Sequence, residues 1–262
     1  MRQPLFLLPL LALGAGCSTI PDTEAPAAPQ LAVFSRSSDT TAAETFELEA
    51  KARFVPGDRL GTPVRGKYGI DDATEAFVEL SPLNYLQVES GNDVIGIGDL
   101  FLGLRHRYYE KEETGTSAGL EVAVKLPTGE SSEGIGTGEL DVLGALVVTQ
   151  RLSEATQLNA YYQLGVLGAR DRSGFDTSHL VAFQGNHWFS SKSGLFAELT
   201  NTFGSRNLEP SYLDFGLARR MSDETVLELA LAMGLNDDSE DLLLLFGVTN
   251  NFGRIGAADH GD

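Results

Sequence analysis

Phe46-Glu47-Leu48-Glu49-Ala50-Lys51-Ala52-Arg53-Phe54 alternates between apolar and charged residues along its whole length. Side chains on a strand point to opposite faces in turn, so Phe46, Leu48, Ala50, Ala52 and Phe54 share one face. Glu47, Glu49, Lys51 and Arg53 share the other. The same division recurs downstream. Val64, Gly66, Tyr68 and Ile70 oppose Arg65, Lys67 and Gly69, and Leu100, Leu102 and Leu104 oppose Asp99, Phe101, Gly103, Arg105 and Arg107. Leu120, Val122, Val124 and Leu126 oppose Glu121, Ala123 and Lys125; Leu227, Leu229, Leu231, Met233 and Leu235 oppose Glu228, Ala230, Ala232 and Gly234. About twelve such segments follow one another between residues 44 and 252, each roughly nine to fourteen residues long, enough to cross a bilayer as a tilted strand.

A soluble antiparallel sheet alternates in the same way, so the faces alone leave the class open. The connections close it. Ile70-Asp71-Asp72-Ala73, Leu152–Thr156, Ser190–Gly194 and Met221–Thr225 are tight polar turns, whereas the connections between them are longer, acidic and glycine-rich, as in Gly129–Gly138. Tight turns at one end and long loops at the other describe an outer-membrane barrel. An even strand count also returns both termini to the periplasmic side. The expected class is all-β: a transmembrane antiparallel up-and-down β-barrel of about twelve strands, localised in the bacterial outer membrane and bathed in its lipid.

The ends of the chain agree. Residues 1–16 read as a secretory signal, with Arg2, an apolar run from Pro4 to Leu13, and small residues before Cys17. Cys17 is the only cysteine, which excludes a disulfide within the chain, and its setting is that of a bacterial lipobox cysteine, although Leu13 stands four residues before it. The expected order is a signal at 1–16, a flexible and lipidated tether at 17–43, the barrel at 44–252 and a polar tail at 253–262. The formal charge of −18 excludes electrostatic binding to nucleic acid. Nothing in the sequence sets the oligomeric state.

Three motifs stand close together: Tyr68-Gly69-Ile70-Asp71-Asp72 followed by Glu75, Gly96-Ile97-Gly98-Asp99 leading into Leu100–Arg105, and Lys125-Leu126-Pro127-Thr128-Gly129. In this order they resemble the outer-membrane family named for the meta-pathway of phenol degradation, whose members look like barrel transporters. The resemblance implies passive transport of small solutes, drawn from aromatic or other hydrophobic catabolic substrates. The residues themselves read as barrel corners, since glycine lets the backbone turn tightly and proline ends a ladder.

On the lumen face, Lys51, Arg53, Arg65, Lys67, Arg105, Arg107 and Lys125 cluster in the first five segments beside Glu47, Glu49, Glu79, Asp99 and Glu121. Later segments offer Asn159, Gln163, Gln184, Glu198, Thr200, Asp214 and Glu228. Lys51, Arg53, Arg65, Lys67, Asp99, Arg105, Arg107, Glu121 and Lys125 are therefore the expected solute path, with a transverse field suited to anionic or zwitterionic solutes such as aromatic carboxylates. The same charges could instead pair across neighbouring strands and close a narrow barrel with a structural or envelope-interaction role. A lipid-modifying enzyme is the third reading. No His-x-Ser pair accompanies His106, His179, His187 or His260, and His187-Trp188 sits at a tight turn where an aromatic girdle accounts for it, along with Tyr108, Tyr109, Phe189 and Leu195. No phosphate loop or zinc spacing occurs, and the acidic run Asn236–Asp241 lacks the spacing of an EF-hand. No enzyme activity, metal or cofactor is expected.

Overall fold

The computed structural model describes residues 30, 32–88, 92–132, 134–169, 174–205 and 209–254. The expected signal, Cys17 and most of the polar tail lie outside the described residues.

Among the described residues, fifteen strands make one antiparallel sheet. They are β1 (Thr45–Val55), β2 (Arg59–Gly61), β3 (Val64–Asp71), β4 (Thr74–Leu80), β5 (Asn84–Leu86), β6 (Val94–Gly96), β7 (Leu100–Lys111), β8 (Thr116–Leu126), β9 (Asp141–Arg151), β10 (Thr156–Gly168), β11 (Phe175–Trp188), β12 (Ser193–Gly204), β13 (Ser211–Arg220), β14 (Thr225–Gly234) and β15 (Leu242–Arg254). From β7 onward each strand pairs with its sequence neighbour, and β15 pairs with β1 from Thr45↔Arg254 to Phe54↔Leu244, closing the sheet on itself. Lipid offers no partner to a backbone amide, so a closed ladder is what a β-sheet requires there.

The three short strands continue longer ones. β2 and β3 both pair with β1, at Arg53↔Gly61 and at Ala50↔Val64, and the break between them holds Pro63. β5 continues β4 across a break holding Pro82, and β6 stands to β5 as β7 stands to β4. Proline has no amide to give a ladder, so the strands kink there without losing their register neighbours. Counted this way, the wall is a closed antiparallel barrel of twelve strands, the number read from the sequence.

The outer face carries the apolar side chains. Leu229 and Phe246, opposite each other on β14 and β15, are both exposed, as are Leu104, Leu146 and Leu217. The inner face carries charges, amides and small residues, among them Ala123, Ala145, Ala182, Ala230 and Ala232, all buried. An exposed apolar belt around a polar interior is the arrangement of an outer-membrane barrel. A bulge between Arg107 and Tyr109 lets two successive aromatics, Tyr108 and Tyr109, face outward at the turn end. Trp188 departs from the expected girdle. It follows Ala182, Gln184 and Asn186 on the inward parity of β11, packs against the buried cluster, and lies under the Arg220 guanidinium at 4.8 Å.

The largest departure concerns the segment read as a tether. Its described part, residues 30 and 32–43, runs inside the barrel. Thr41 donates its amide to Glu75 at 2.7 Å, Ser38 donates its own to the Thr149 hydroxyl at 2.9 Å, and Val33 is buried against Phe196 and Leu245. The segment enters beside Gly69, where a Cβ would run into the carbonyl of Ala42, so this motif glycine makes the passage. Proline- and serine-rich sequence without periodicity reads as a linker because its backbone has no ladder to join. Here the barrel's inward side chains supply those partners instead.

Replacing Leu229 with arginine should lower the stability of the vesicle-refolded barrel by about 2–4 kcal/mol, because the new charge would face hydrocarbon. Urea titration followed by tryptophan fluorescence measures this, and an unchanged midpoint would contradict the lipid-facing assignment.

Candidate functional site

The inner wall places its charges in register. Glu47 lies opposite Lys67, Glu49 opposite Arg65, Arg65 opposite Glu79, Glu75 opposite Arg105 and Arg105 opposite Glu121. The ion pairs follow that ladder. Lys67 meets Glu49 at 2.6 Å and also Glu47; Arg65 meets Glu79 at 2.6 Å; Arg105 meets Glu121 at 2.5 Å and Glu75 at 3.4 Å. Across the β1–β15 seam, Lys51 reaches Glu228 at 2.9 Å. Buried charges persist only when paired, and this wall pairs them through strand register.

Lys125 and Asp99 occupy the loop end. Lys125 pairs with Asp99 at 3.4 Å and with Asp141, its register neighbour. The Asp99 carboxylate accepts the amides of Gly129 at 2.9 Å and Thr137 at 3.2 Å, and the Thr128 hydroxyl donates to the Gly98 carbonyl at 3.1 Å. Two of the sequence motifs therefore fold onto each other and hold the 127–140 loop. Arg107 lies at the opposite end, half-buried, donating to the Asp72 carbonyl at 2.7 Å and pairing with Glu110 at 3.1 Å.

The N-terminal segment fills the space between these walls. Its one basic residue within the described part, Arg36, stands among Glu79 at 3.6 Å, Glu49 at 3.9 Å and Glu121 at 3.9 Å. Arg105 donates to the Asp39 carbonyl at 3.2 Å, and Asp39 pairs with Arg151. On the opposite wall, the Glu198 carboxylate accepts three consecutive amides, from Val33 at 3.1 Å, Phe34 at 3.1 Å and Ser35 at 2.7 Å. Hydrogen bonds to a buried charge contribute on the order of 1.5–3 kcal/mol each, which makes Glu198 the strongest single hold on the segment. The chain then folds back: the Gln30 side chain accepts from the Ser37 amide at 2.7 Å, and Lys51 donates to the Gln30 carbonyl at 3.2 Å.

Of the expected solute path, Lys51, Arg65, Lys67, Arg105 and Glu121 thus lie against the segment or in ion pairs beside it. Arg53 differs. Its guanidinium donates to the Val33 carbonyl at 2.9 Å, no carboxylate lies within 4.0 Å of it among the described residues, and its Nε is buried without a hydrogen-bond partner. Arg53 lines a cavity of about 360 Å³ at the loop end, above the Phe34–Tyr212 stack, whose centroids are 4.9 Å apart.

Sequence reading missed Arg36 and the part played by Glu198. The signal that could have found them is the run of small inward residues: alanines at successive inward positions leave a volume the wall does not fill. It also passed over Gly115-Thr116-Ser117-Ala118-Gly119, which has the spacing of a hydrolase nucleophile elbow. The structure gives that pentapeptide no such turn. Ser117 is fully buried within β8, its hydroxyl bonded to that of Ser38 at 2.7 Å, whereas an elbow sits between a strand and a helix. The three described histidines face outward, His106 and His187 bonded to threonine hydroxyls at 3.0 and 2.8 Å, and His179 stacked on Phe203 with centroids 5.0 Å apart.

No family model and no curated protein matches this chain. Solved structures do match it. An outer membrane channel from Pseudomonas putida F1 is similar with a TM-score of 0.67 at 14% identity, over 84% of this chain and 100% of that one. The KdgM porin is similar at 0.58 and 9% identity, over 78% and 98%, and so is that porin in complex with disordered oligogalacturonate, at 0.58 and 7% identity. At these identities the likeness is one of fold, and the fold is that of outer-membrane channels and porins.

Replacing Asp99 with alanine should expose the 127–140 loop to limited proteolysis and cost about 2 kcal/mol, since two amides and Lys125 lose a shared acceptor. A loop cleaved no faster than in the parent protein would contradict that role.

Proposed function

We propose that the protein is a passive outer-membrane channel for small solutes, closed in this conformation by its own N-terminal segment. One observation carries the reading: the polar path along the barrel axis is filled by a stretch of backbone held chiefly by hydrogen bonds to inward side chains of the wall, not by strand pairing with it. Residues 32–41 can leave without breaking a single barrel ladder bond, since the first bridge to the wall is Ala43 to Gly69. Twelve strands enclose more space than inward side chains of this size fill, which fits a lumen built around a removable occupant. The channel and porin folds of the similar structures support the same class. The resemblance of the 65–129 motifs to the phenol meta-pathway family supports aromatic or hydrophobic catabolic solutes. The lipobox-like setting of Cys17 supports acylation, which would keep the displaced segment tethered to the membrane. The buried Ser117 and the outward histidines support a role without catalysis.

A closed barrel with a structural role is the second reading, favoured by the register-matched ion pairs that bridge β1, β3, β4, β7 and β8. Those pairs also change the expected basis of ion selectivity. Arg65 and Arg105 are each neutralised by two carboxylates within 4.0 Å, so their charges are not free to act on a passing ion.

Planar-bilayer recordings decide between the two. The full-length barrel should conduct rarely, a variant lacking residues 32–41 should give reproducible steps, and Glu198→Gln should raise the open probability about tenfold by weakening the three-amide hold. Silence from all three proteins, each shown to be folded, would overturn the channel and leave the closed barrel.

A further inference from the structure

The cavity above the Phe34–Tyr212 stack holds two buried polar groups that the fold leaves without partners. One is the Nε of Arg53, the other the hydroxyl of Thr200, and both residues line the same space. They come from different parts of the wall. Arg53 stands near the loop end of β1, and Thr200 stands on β12 opposite Tyr212. A buried donor without an acceptor is costly, and fully buried hydrogen-bonding groups in folded proteins nearly always find a partner.

The charge balance around Arg53 is just as distinctive. Lys51, Arg65, Lys67, Arg105, Arg107 and Lys125 each have a carboxylate within 4.0 Å. Arg59, which also lines the cavity, is occupied by Glu240. Arg53 has no carboxylate within 4.0 Å among the described residues, a state it shares with Arg220 at the turn end, which lies over Trp188 instead. Glu240 lines the cavity too, with its carboxylate paired to Arg59, and Thr202 adds a second hydroxyl; Phe34, Val55, Pro210, Tyr212 and Leu243 make the apolar part of the lining. A guanidinium with an unpartnered Nε on one wall and an unpartnered hydroxyl on another offer donors to a carboxylate between them, and the apolar part of the lining fits a compact hydrocarbon body.

We infer that this loop-end cavity is a binding site for a small organic monocarboxylate, with Arg53 taking the carboxylate, Thr200 its second oxygen, and the apolar lining its body. The inference rests on the channel reading for its purpose, as the first station of a solute entering from the loop end. The site itself does not require an open pore. Arg53 also touches the segment through the Val33 carbonyl, so an occupied site bears directly on the group that helps hold the segment in place.

Titration calorimetry of the refolded full-length protein in detergent micelles tests this, using sodium benzoate, sodium acetate and benzyl alcohol, each corrected with empty micelles. Benzoate should bind saturably at one site per chain, and both acetate and benzyl alcohol about tenfold or more weaker, since each lacks one half of the recognition. Arg53→Gln should weaken benzoate about tenfold or more. Thr200→Val, which keeps the side-chain shape, should weaken it by a smaller factor and serves if the arginine variant does not fold. Benzoate affinity unchanged by Thr200→Val, or by a folded Arg53→Gln, would overturn the site. So would equal binding of benzoate and benzyl alcohol, or no benzoate binding at all. Because binding is read in micelles, a barrel that binds benzoate yet never conducts would refute the channel and leave the site standing.

Discussion

Closure of the β1–β15 seam is the constraint from which the rest follows. In hydrocarbon an unpaired amide has no water to fall back on, so the twelve strands must form a ring in which every wall amide meets a neighbour. A ring in lipid must turn its apolar side chains outward, and strand geometry then forces the alternate residues inward. The interior is polar because the exterior cannot be. Lys67, Arg65 and Arg105 are buried charges imposed by the position of the wall, and strand register answers them with Glu47, Glu49, Glu79, Glu75 and Glu121.

Register pairing settles one wall and leaves the other. Between β9 and β14 the inward residues are mostly small or uncharged, with Glu198, Asp214 and Glu228 buried among them. Glu228 is met by Lys51 across the seam, and Glu198 is met by the amides of Val33, Phe34 and Ser35. The N-terminal segment thus works as a movable complement to the wall. It brings Arg36 to the acidic side chains and its backbone amides to Glu198, and its apolar Val33 packs where Phe196 and Ala230 leave room. Each end of the lumen has its own fastening. At the turn end, Gly69 admits the chain beside Ala42 and Glu75 takes the Thr41 amide; at the loop end, Asp99 ties the 127–140 loop across the mouth of β7 and β8.

Much of this was legible in the residues. Strict alternation, tight turns such as Met221–Thr225 and the long acidic loops specify a membrane barrel with its strand count and its inner and outer faces, because a period of two and a turn's chemistry are local properties. The motif glycines read as corners; Gly129 lies in the loop after β8, whereas Gly69 lies within β3 and makes room for the N-terminal segment. What stayed hidden was non-local. Residues 30–43 have no periodicity to read, and their place depends on Thr149, Glu75 and Glu198, which lie between 34 and 165 positions away along the chain. Trp188 was misplaced for a smaller reason of the same kind: its nearness to a turn was visible, but its face depended on the parity of the whole of β11.

The sequence by itself determined the class of protein, the two faces of its wall and the acid–base composition of its interior, since each of these is written in spacing along one strand. The tertiary structure alone decided which inward charges meet an opposite charge and which do not. Arg65, Arg105 and Arg53 are indistinguishable as inward arginines on alternating strands. Closing the ring brings carboxylates within 4.0 Å of the first two by register, whereas Arg53 donates to the Val33 carbonyl and lines a cavity whose carboxylate, Glu240, is paired with Arg59.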